Sequence, residues 1–246
     1  MSATAVTESL DYAERWLRDG LQVLHPALSV VQISVDMTRA IERLDRLRHE
    51  GIRATSTHLL VKAVADALAA NPNLHQLTVG SRRQRPVTVD IGLSVSGETF
   101  VAPVLVIESA DRKTVGQIAA ETIERAPEAR HADRRMLSAL RTWGWLVPFG
   151  VVRRAILRLL FASPGFRRKG AGTFQVTTVP GDWALTATFA SAGVLVAGQT
   201  RDRVVAINGQ VAVRPMMTLT LCGDHGTWDG RAAGRFLSAV TAGLED

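Results

Sequence analysis

Helical and alternating apolar patterns take turns along this chain. Residues 8–24 place Leu10, Ala13, Leu17 and Leu21 at helical spacing and predict an amphipathic helix. "LSVVQISVDMT" (28–38) is rich in β-branched residues and reads as a strand. "TRAIERLDRLRHEG" follows as a helix that Gly51 stops. "TSTHLLVKAVADALAANP" (55–72) has a Thr55 or Ser56 N-cap, an Ala/Leu interior and an Asn71–Pro72 end, which together predict a long helix. Two strands joined by a turn at Ser96 and Gly97 account for "PVTVDIGLSVSGETFVAPVLVIESA", and "DRKTVGQIAAETIERA" returns to helix.

From 134 to 169 the texture changes to "RRMLSALRTWGWLVPFGVVRRAILRLLFASPGFRRKG", where Trp and Phe alternate with Arg and two prolines interrupt. Beyond it, "GTFQVTTV", "SAGVLVAGQT", "RVVAINGQVAVRP" and "MMTLTLCG" are strand-like, with Asn208 and Gly209 marking a hairpin. "GRAAGRFLSAVTAGLED" closes as a helix with Ala232, Phe236, Leu237 and Val240 on one face. Mixed strands and helices, with no repeat and no low-complexity linker, predict a single α/β domain over 1–246 carrying an insertion at about 136–169.

Composition narrows this picture modestly. At 46% hydrophobic and 21% charged, the profile is that of an ordinary globular protein. A lone Cys222 excludes an internal disulfide and points to a reducing compartment. The start "MSATAVTESLDYAERW" has no signal-peptide pattern, and no stretch reaches the roughly 18 apolar residues of a spanning helix, so a cytoplasmic location is expected. The net charge of +6 is concentrated. Residues 130–169 hold nine Arg and one Lys against Asp133, a net of +9, which leaves the rest of the chain mildly acidic.

The candidate chemistry lies in "DHGTWDG" (224–230), at the end of an apolar strand. A histidine there acts as a general base if something fixes its tautomer, and the four-residue offset brings Asp229 back towards His225. The plainer alternative is that His225 ends a strand while Asp229 caps the last helix. Cys222, in an apolar run, reads as packed and inert. His25, His49, His58, His75 and His131 have no partners at metal-ligand spacing; surface or capping roles are expected, and no metal.

The surrounding residues resemble a known family. "GQVAVRPMMTLTLCGDHGTWDGRAAGRFLSAVTAGLED" is similar to the end of the catalytic domain of dihydrolipoamide acyltransferases, where a Val-Arg-Pro-Met-Met run leads to Asp-His-Arg-x-x-Asp-Gly and a final helix. Chloramphenicol acetyltransferase shares the His-x-x-x-Asp-Gly core. "DIGLSVSGETFVAPVLVIESADRKTVGQIAAET", "THLLVKAVADALAANPNL" and "GAGTFQVTTV" resemble further family segments in the same order. The resemblance implies a two-layer α/β sandwich with a mixed sheet, of the chloramphenicol acetyltransferase-like, CoA-dependent acyltransferase fold. It implies transfer of an acyl group between coenzyme A and a thiol, hydroxyl or amine, with His225 as base and Thr177 as oxyanion donor. Thr178 is the alternative if the register shifts by one. Asp229 matches the structural carboxylate of the histidine loop.

The family's active sites form between subunits of a trimer, so His225 and Thr177 are expected from different chains of a homotrimer. Two positions depart from the pattern. Gly226 stands where the family has Arg, and the N-terminal Arg that pairs with the motif Asp aligns with Ser9 or Leu10; Arg15 or Arg18 would serve only in another register. No suitable hairpin lysine marks a lipoyl domain, so the chain is expected to carry no lipoyl group.

For the 136–169 segment three readings stand: a helical pair packed on the core or across the trimer, a membrane-surface element, or a lid over the acyl pocket. In the first, Leu137, Leu140, Leu146, Ile156, Leu157, Leu160 and Phe161 are buried and the arginines solvated. In the second, Trp143, Trp145 and Phe149 beside Arg153, Arg154, Arg158 and the Arg167–Lys169 cluster contact lipid. No nucleic-acid motif is present. Rival functions are a non-catalytic trimeric scaffold and a peripheral membrane-binding protein.

Overall fold

The computed structural model of the chain describes residues 10–23, 27–72, 75–79, 82–97, 99, 101–188 and 191–245. In chain order its elements are α1 (Tyr12–Val23), β1 (Leu28–Asp36), α2 (Thr38–His49), α3 (Ser56–Ala70), β2 (Leu77–Val79), β3 (Arg82–Gln84), β4 (Ile91–Ser94) and β5 (Val104–Ile107). Then come α4 (Val115–Trp143), α5 (Gly150–Phe161), α6 (Pro164–Ala171), β6 (Phe174–Thr178), β7 (Gly193–Ala197), β8 (Arg201–Ile207), β9 (Gln210–Asp224) and α7 (Gly230–Glu245). His25 and Ser9 lie outside the described residues.

The main sheet has the order β1-β9-β7-β6-β4-β5, with β8 paired to the first half of β9. It is mixed: β4, β6 and β7 run parallel, and the remaining pairs are antiparallel. The strands inferred separately from "GQVAVRP" and "MMTLTLCG" are one 15-residue strand, β9, long enough to pair with β8 at one end and with β1 and β7 at the other. The β8–β9 turn is the expected Asn208–Gly209 pair, both with positive φ (50° and 78°), as a tight hairpin requires.

Alternation along each strand decides the layers. Phe174 and Val176, Leu195 and Ala197, and Leu219 and Leu221 face one way, where α2, α3, the first half of α4 and α7 complete the principal core. The opposite face presents Gln175 and Thr177, Val194 and Val196, and Thr218, Thr220 and Cys222. Val179 and Ala184 cover part of this face. Side-chain hydrogen bonds set the helix starts. Thr55 N donates to His58 Nδ1 at 3.1 Å at the head of α3, and Thr114 and Gln117 bond reciprocally (2.9 and 3.2 Å) at the head of α4.

The change of texture at 134 is not a helix end. α4 runs 29 residues, with Pro127 inside it, and finishes at Trp143. The segment after it contains α5 and α6, and α5 packs on α1. Of the residues expected to be buried there, Leu137 and Phe161 are, and Leu140, Ile156 and Leu157 are half-buried, whereas Leu146 and Leu160 are exposed. The arginines are not all solvated. Arg153 is buried, its Nε donating to Asp19 Oδ2 at 2.7 Å and its Nη1 to the carbonyls of Val147 and Pro148. Arg154 reaches the other oxygen of Asp19.

α6 is tied to the sheet through Asp90, fully buried at the head of β4. Its carboxylate accepts from Arg168 Nε, Thr88 Oγ1 and Ser109 N. Gly172 follows with φ 69°, and a Cβ there would lie 2.5 Å from Asp90 O, so only glycine permits this approach. Among the described residues, no helix is long and apolar enough to cross a membrane.

Candidate active site

β9 ends at Asp224, and the chain turns at once into the loop that carries His225. The loop is held at both ends. His225 N donates to Ala27 O at 2.7 Å, beside β1. Trp228 is buried, stacked on Phe174 (centroids 5.8 Å apart) and edge-on to Phe236 (5.5 Å), so its indole pins the loop into the principal core. Between these anchors the Asp224 carboxylate folds back, accepting from Gly226 N at 3.0 Å and from Thr227 Oγ1 at 3.3 Å.

His225 itself is exposed, with Nδ1 2.9 Å from Trp228 O. A carbonyl only accepts, so Nδ1 carries the proton and Nε2 presents its lone pair outward. This arrangement suits a general base: one nitrogen fixes the ring and the other is free to take a proton.

Asp229 is placed otherwise than the offset suggested. Its Oδ1 accepts from Ala232 N at 2.7 Å, which makes it the N-cap of α7; no hydrogen bond joins it to the imidazole among the described residues. The cap marks where α7 begins and stands one residue beyond Trp228, whose carbonyl lies against His225. It forms no ion pair among the described residues. Arg15 is engaged elsewhere, donating to Leu10 O and lying over the Tyr12 ring.

Three features of this loop escaped the sequence reading. Asp224, rather than Asp229, bonds within the loop; the signal for it was the Asp-x-Gly spacing of a turn. Trp228 is the anchor. The short β2–β3 hairpin, unforeseen in the sequence, props the loop from outside: Thr78 Oγ1 and Thr227 Oγ1 are 2.9 Å apart, and Arg83 Nη2 donates to Gly226 O.

Thr177 sits on β6, half-buried, with no hydrogen-bond partner for its hydroxyl among the described residues. It faces away from the helices of the principal core into a cavity of about 370 Å³, which Ser94, Val104, Gln175, Leu185 and Leu21 of α1 also line. Among the described residues, no charged side chain lines this cavity. Thr178, one residue on, is not part of it.

Strand register separates Thr177 from His225. Thr177 lies level with Val196, and Val196 with Thr220, whereas His225 follows Asp224 at the strand's end. Five residues at about 3.3 Å each and two strand spacings of about 4.8 Å put the two roughly 20 Å apart. Within one chain they do not meet.

The other histidines are distributed as follows. His49 and His131 are exposed, and His58 caps α3. His75 departs from the expected surface or capping role. It is buried, with Nε2 2.7 Å from Thr173 Oγ1, whose own proton goes to Asp90 O. Burial pushes its pKa down to about 4, against the opposing pull of Asp90 and Asp111. Cys222 is buried, and burial raises its thiol pKa, as befits a packed, unreactive side chain. No group of three or more His, Cys, Asp or Glu among the described residues is placed to hold a metal ion.

A mixed sheet backed by helices, with a tautomer-fixed histidine in a His-x-x-x-Asp-Gly loop, defines the chloramphenicol acetyltransferase-like class of folds. A solved chloramphenicol acetyltransferase superposes with a TM-score of 0.52 at 13% identity, covering 96% of both chains. A probable dihydrolipoamide acetyltransferase from Listeria monocytogenes superposes more closely, with a TM-score of 0.75 at 23% identity over 99% of this chain and 96% of that one.

The sequence pattern of the 2-oxoacid dehydrogenases acyltransferase (catalytic domain) family matches residues 22–136 and 189–246, and the chain belongs to that family. Among curated relatives, the dihydrolipoyllysine-residue acetyltransferase component of the pyruvate dehydrogenase complex of Corynebacterium glutamicum is 26% identical over 227 residues. That match covers 86% of this chain and 29% of the relative. The chain spans less than half the length of the curated relatives it matches over most of its own length. His225 and Asp229 fall inside the matched residues; Thr177 and α5 fall outside them.

Proposed function

We propose that the chain is the catalytic domain of a CoA-dependent acyltransferase, with residues 136–169 as an appended segment. The observation that supports this most directly is the Nδ1–H···O bond from His225 to Trp228, which leaves Nε2 free at the mouth of the loop. In the proposed reaction Nε2 takes the proton from an acceptor thiol, hydroxyl or amine as that atom attacks the thioester carbonyl of acyl-CoA. The carbonyl oxygen becomes an oxyanion, which the unpartnered Thr177 hydroxyl stabilises by donating a hydrogen bond. Collapse breaks the bond between carbon and sulfur, and the departing coenzyme A thiolate recovers the proton from His225 Nε2. Asp229 and Asp224 hold the loop and transfer nothing.

A separation of roughly 20 Å between His225 and Thr177 suits a site completed by a second copy, and a homotrimer with sites between its subunits is the assembly proposed. Among the described residues the cavity lining is uncharged, which suits an uncharged acyl group better than one ending in a carboxylate. Thiol release from acetyl-, isobutyryl-, hexanoyl- and succinyl-CoA with dihydrolipoamide as acceptor tests the reading. Turnover that His225→Ala abolishes is expected. Turnover unchanged in that variant, or no binding of any acyl-CoA by calorimetry, refutes it.

A further inference from the structure

An ordinary surface helix buries its apolar side and shows its charges to water. α5 departs from this on its outer side. Its inward side carries Phe161, half-buried Ile156 and Leu157, and Arg153 paired with Asp19 of α1, yet Val151, Val152, Ala155 and Leu159 occupy the outward side. Val151 is 71% exposed and Leu159 76%. The end of α4 and the turn leading into α5 add further exposed rings, with Trp143 62%, Trp145 54% and Phe149 71% exposed. Such a concentration of bare large side chains in one segment is not the scatter of single apolar residues that any surface shows.

The charges that this segment itself contributes have one sign, and Arg141 among them is paired with Asp11 of the chain ahead of α1. Between residues 134 and 181 there is no Asp or Glu, and Arg158 borders the outward face of α5. Arg158, Arg135 and Lys169 are all exposed, and none has an ion-pair partner among the described residues. The family pattern passes over residues 137–188, so this surface is not among the features the family holds in common.

We infer that the outward face of α5, with Trp143, Trp145 and Phe149, docks the protein on an anionic lipid bilayer. A bilayer surface supplies together what this face lacks: an apolar phase for Phe149, Val151 and Leu159, an interfacial zone for the two tryptophans, and negative headgroups for Arg158 and its neighbours. The Arg153–Asp19 pair points the helix so that this side faces out. The contact is peripheral, since α5 has only 12 residues.

The test uses the whole chain and two sets of vesicles, phosphatidylcholine alone and phosphatidylcholine with a minor share of phosphatidylglycerol, at low and high salt. Wild type is expected to sediment with the anionic vesicles, more weakly at high salt, and to shift its tryptophan emission to the blue. Phe149→Glu combined with Leu159→Glu removes two exposed apolar anchors and is expected to lower partitioning by more than about tenfold. Arg158→Gln is expected to lower it about fivefold at low salt. Both variants should keep wild-type circular dichroism and acyl transfer to a soluble acceptor.

No sedimentation of wild type with anionic vesicles at low salt overturns the inference, as does equal partitioning of wild type and the double variant. A change in mass of the double variant by light scattering also overturns it, because the face is then an interface between copies of the chain.

Discussion

The Asp19–Arg153 pair joins α1 to α5 across 134 residues of sequence, and it is the buried ion pair whose loss the structure makes easiest to size. Both side chains are nearly sealed from water, at 7% and 8% exposure. Asp19→Ala leaves Arg153 Nε without its acceptor and strips Arg154 of the same carboxylate, while the Val147 and Pro148 carbonyls still hold Arg153 Nη1 in place. A buried cation that loses its partner costs about 3–5 kcal/mol, because its desolvation is no longer offset.

For a chain of this size each kcal/mol moves Tm by about 2–4 °C, so the expected drop is roughly 6–20 °C. Differential scanning calorimetry of wild type and Asp19→Ala measures it, with Asp45→Ala as control. The Arg48–Asp45 pair is 62% and 52% exposed, and its loss should move Tm by no more than about 2 °C. The combined variant Asp19→Leu with Arg153→Met should recover most of the loss, since two apolar partners carry no desolvation cost. A drop for Asp19→Ala no larger than the control's, or a combined variant as unstable as the single one, would refute the reasoning and the account of α5's orientation with it.

Other outcomes follow from the same physics. Thr177→Val keeps the shape and removes the hydroxyl, so kcat should fall about 10²–10³-fold with little change in KM while Thr177→Ser stays near wild type; equal rates for all three would remove Thr177 from the chemistry. His75 has a folded pKa near 4, below its unfolded value of 6.5, so the unfolded chain binds the extra proton between those values. Its contribution is therefore complete above about pH 6.5 and is lost as pH falls towards 4; urea unfolding should show about 2 kcal/mol less stability from this group at pH 5 than at pH 7, and His75→Gln should remove that increment. Gly172→Ala forces a Cβ to within 2.5 Å of Asp90 O at a positive φ, so soluble yield and Tm should fall sharply, whereas Gly181→Ala, with nothing within 4 Å, should be tolerated.

Local signals made much of the fold legible. Periodicity placed most strands and helices because each element's apolar side repeats within a few residues, and Asn208–Gly209 announced its hairpin because few residues adopt positive φ. The "DHGTWDG" motif marked His225 before any geometry was known, and alternation along "GTFQVTTV" suffices to turn Thr177 away from Val176.

Tertiary structure alone decided where those pieces lead. The offset between His225 and Asp229 suggested a pair, yet the helix N-cap claimed Asp229 and the turn used Asp224, because backbone N–H groups compete for carboxylates and only the folded loop shows which wins. In α5 the sequence led to burial of Ile156, Leu157, Leu160 and Phe161; Phe161 is buried and Ile156 and Leu157 half-buried, while Leu160 is exposed. Val151, Val152 and Leu159 lie outward as Asp19, distant in sequence, holds Arg153 inward, and a partner so remote leaves no trace in local pattern. The roughly 20 Å between His225 and Thr177 likewise depends on the register of β6, β7 and β9. Sequence therefore determined most of the elements and the candidate side chains, and long-range packing determined their partners, since hydrogen bonds and burial depend on what arrives from elsewhere in the chain.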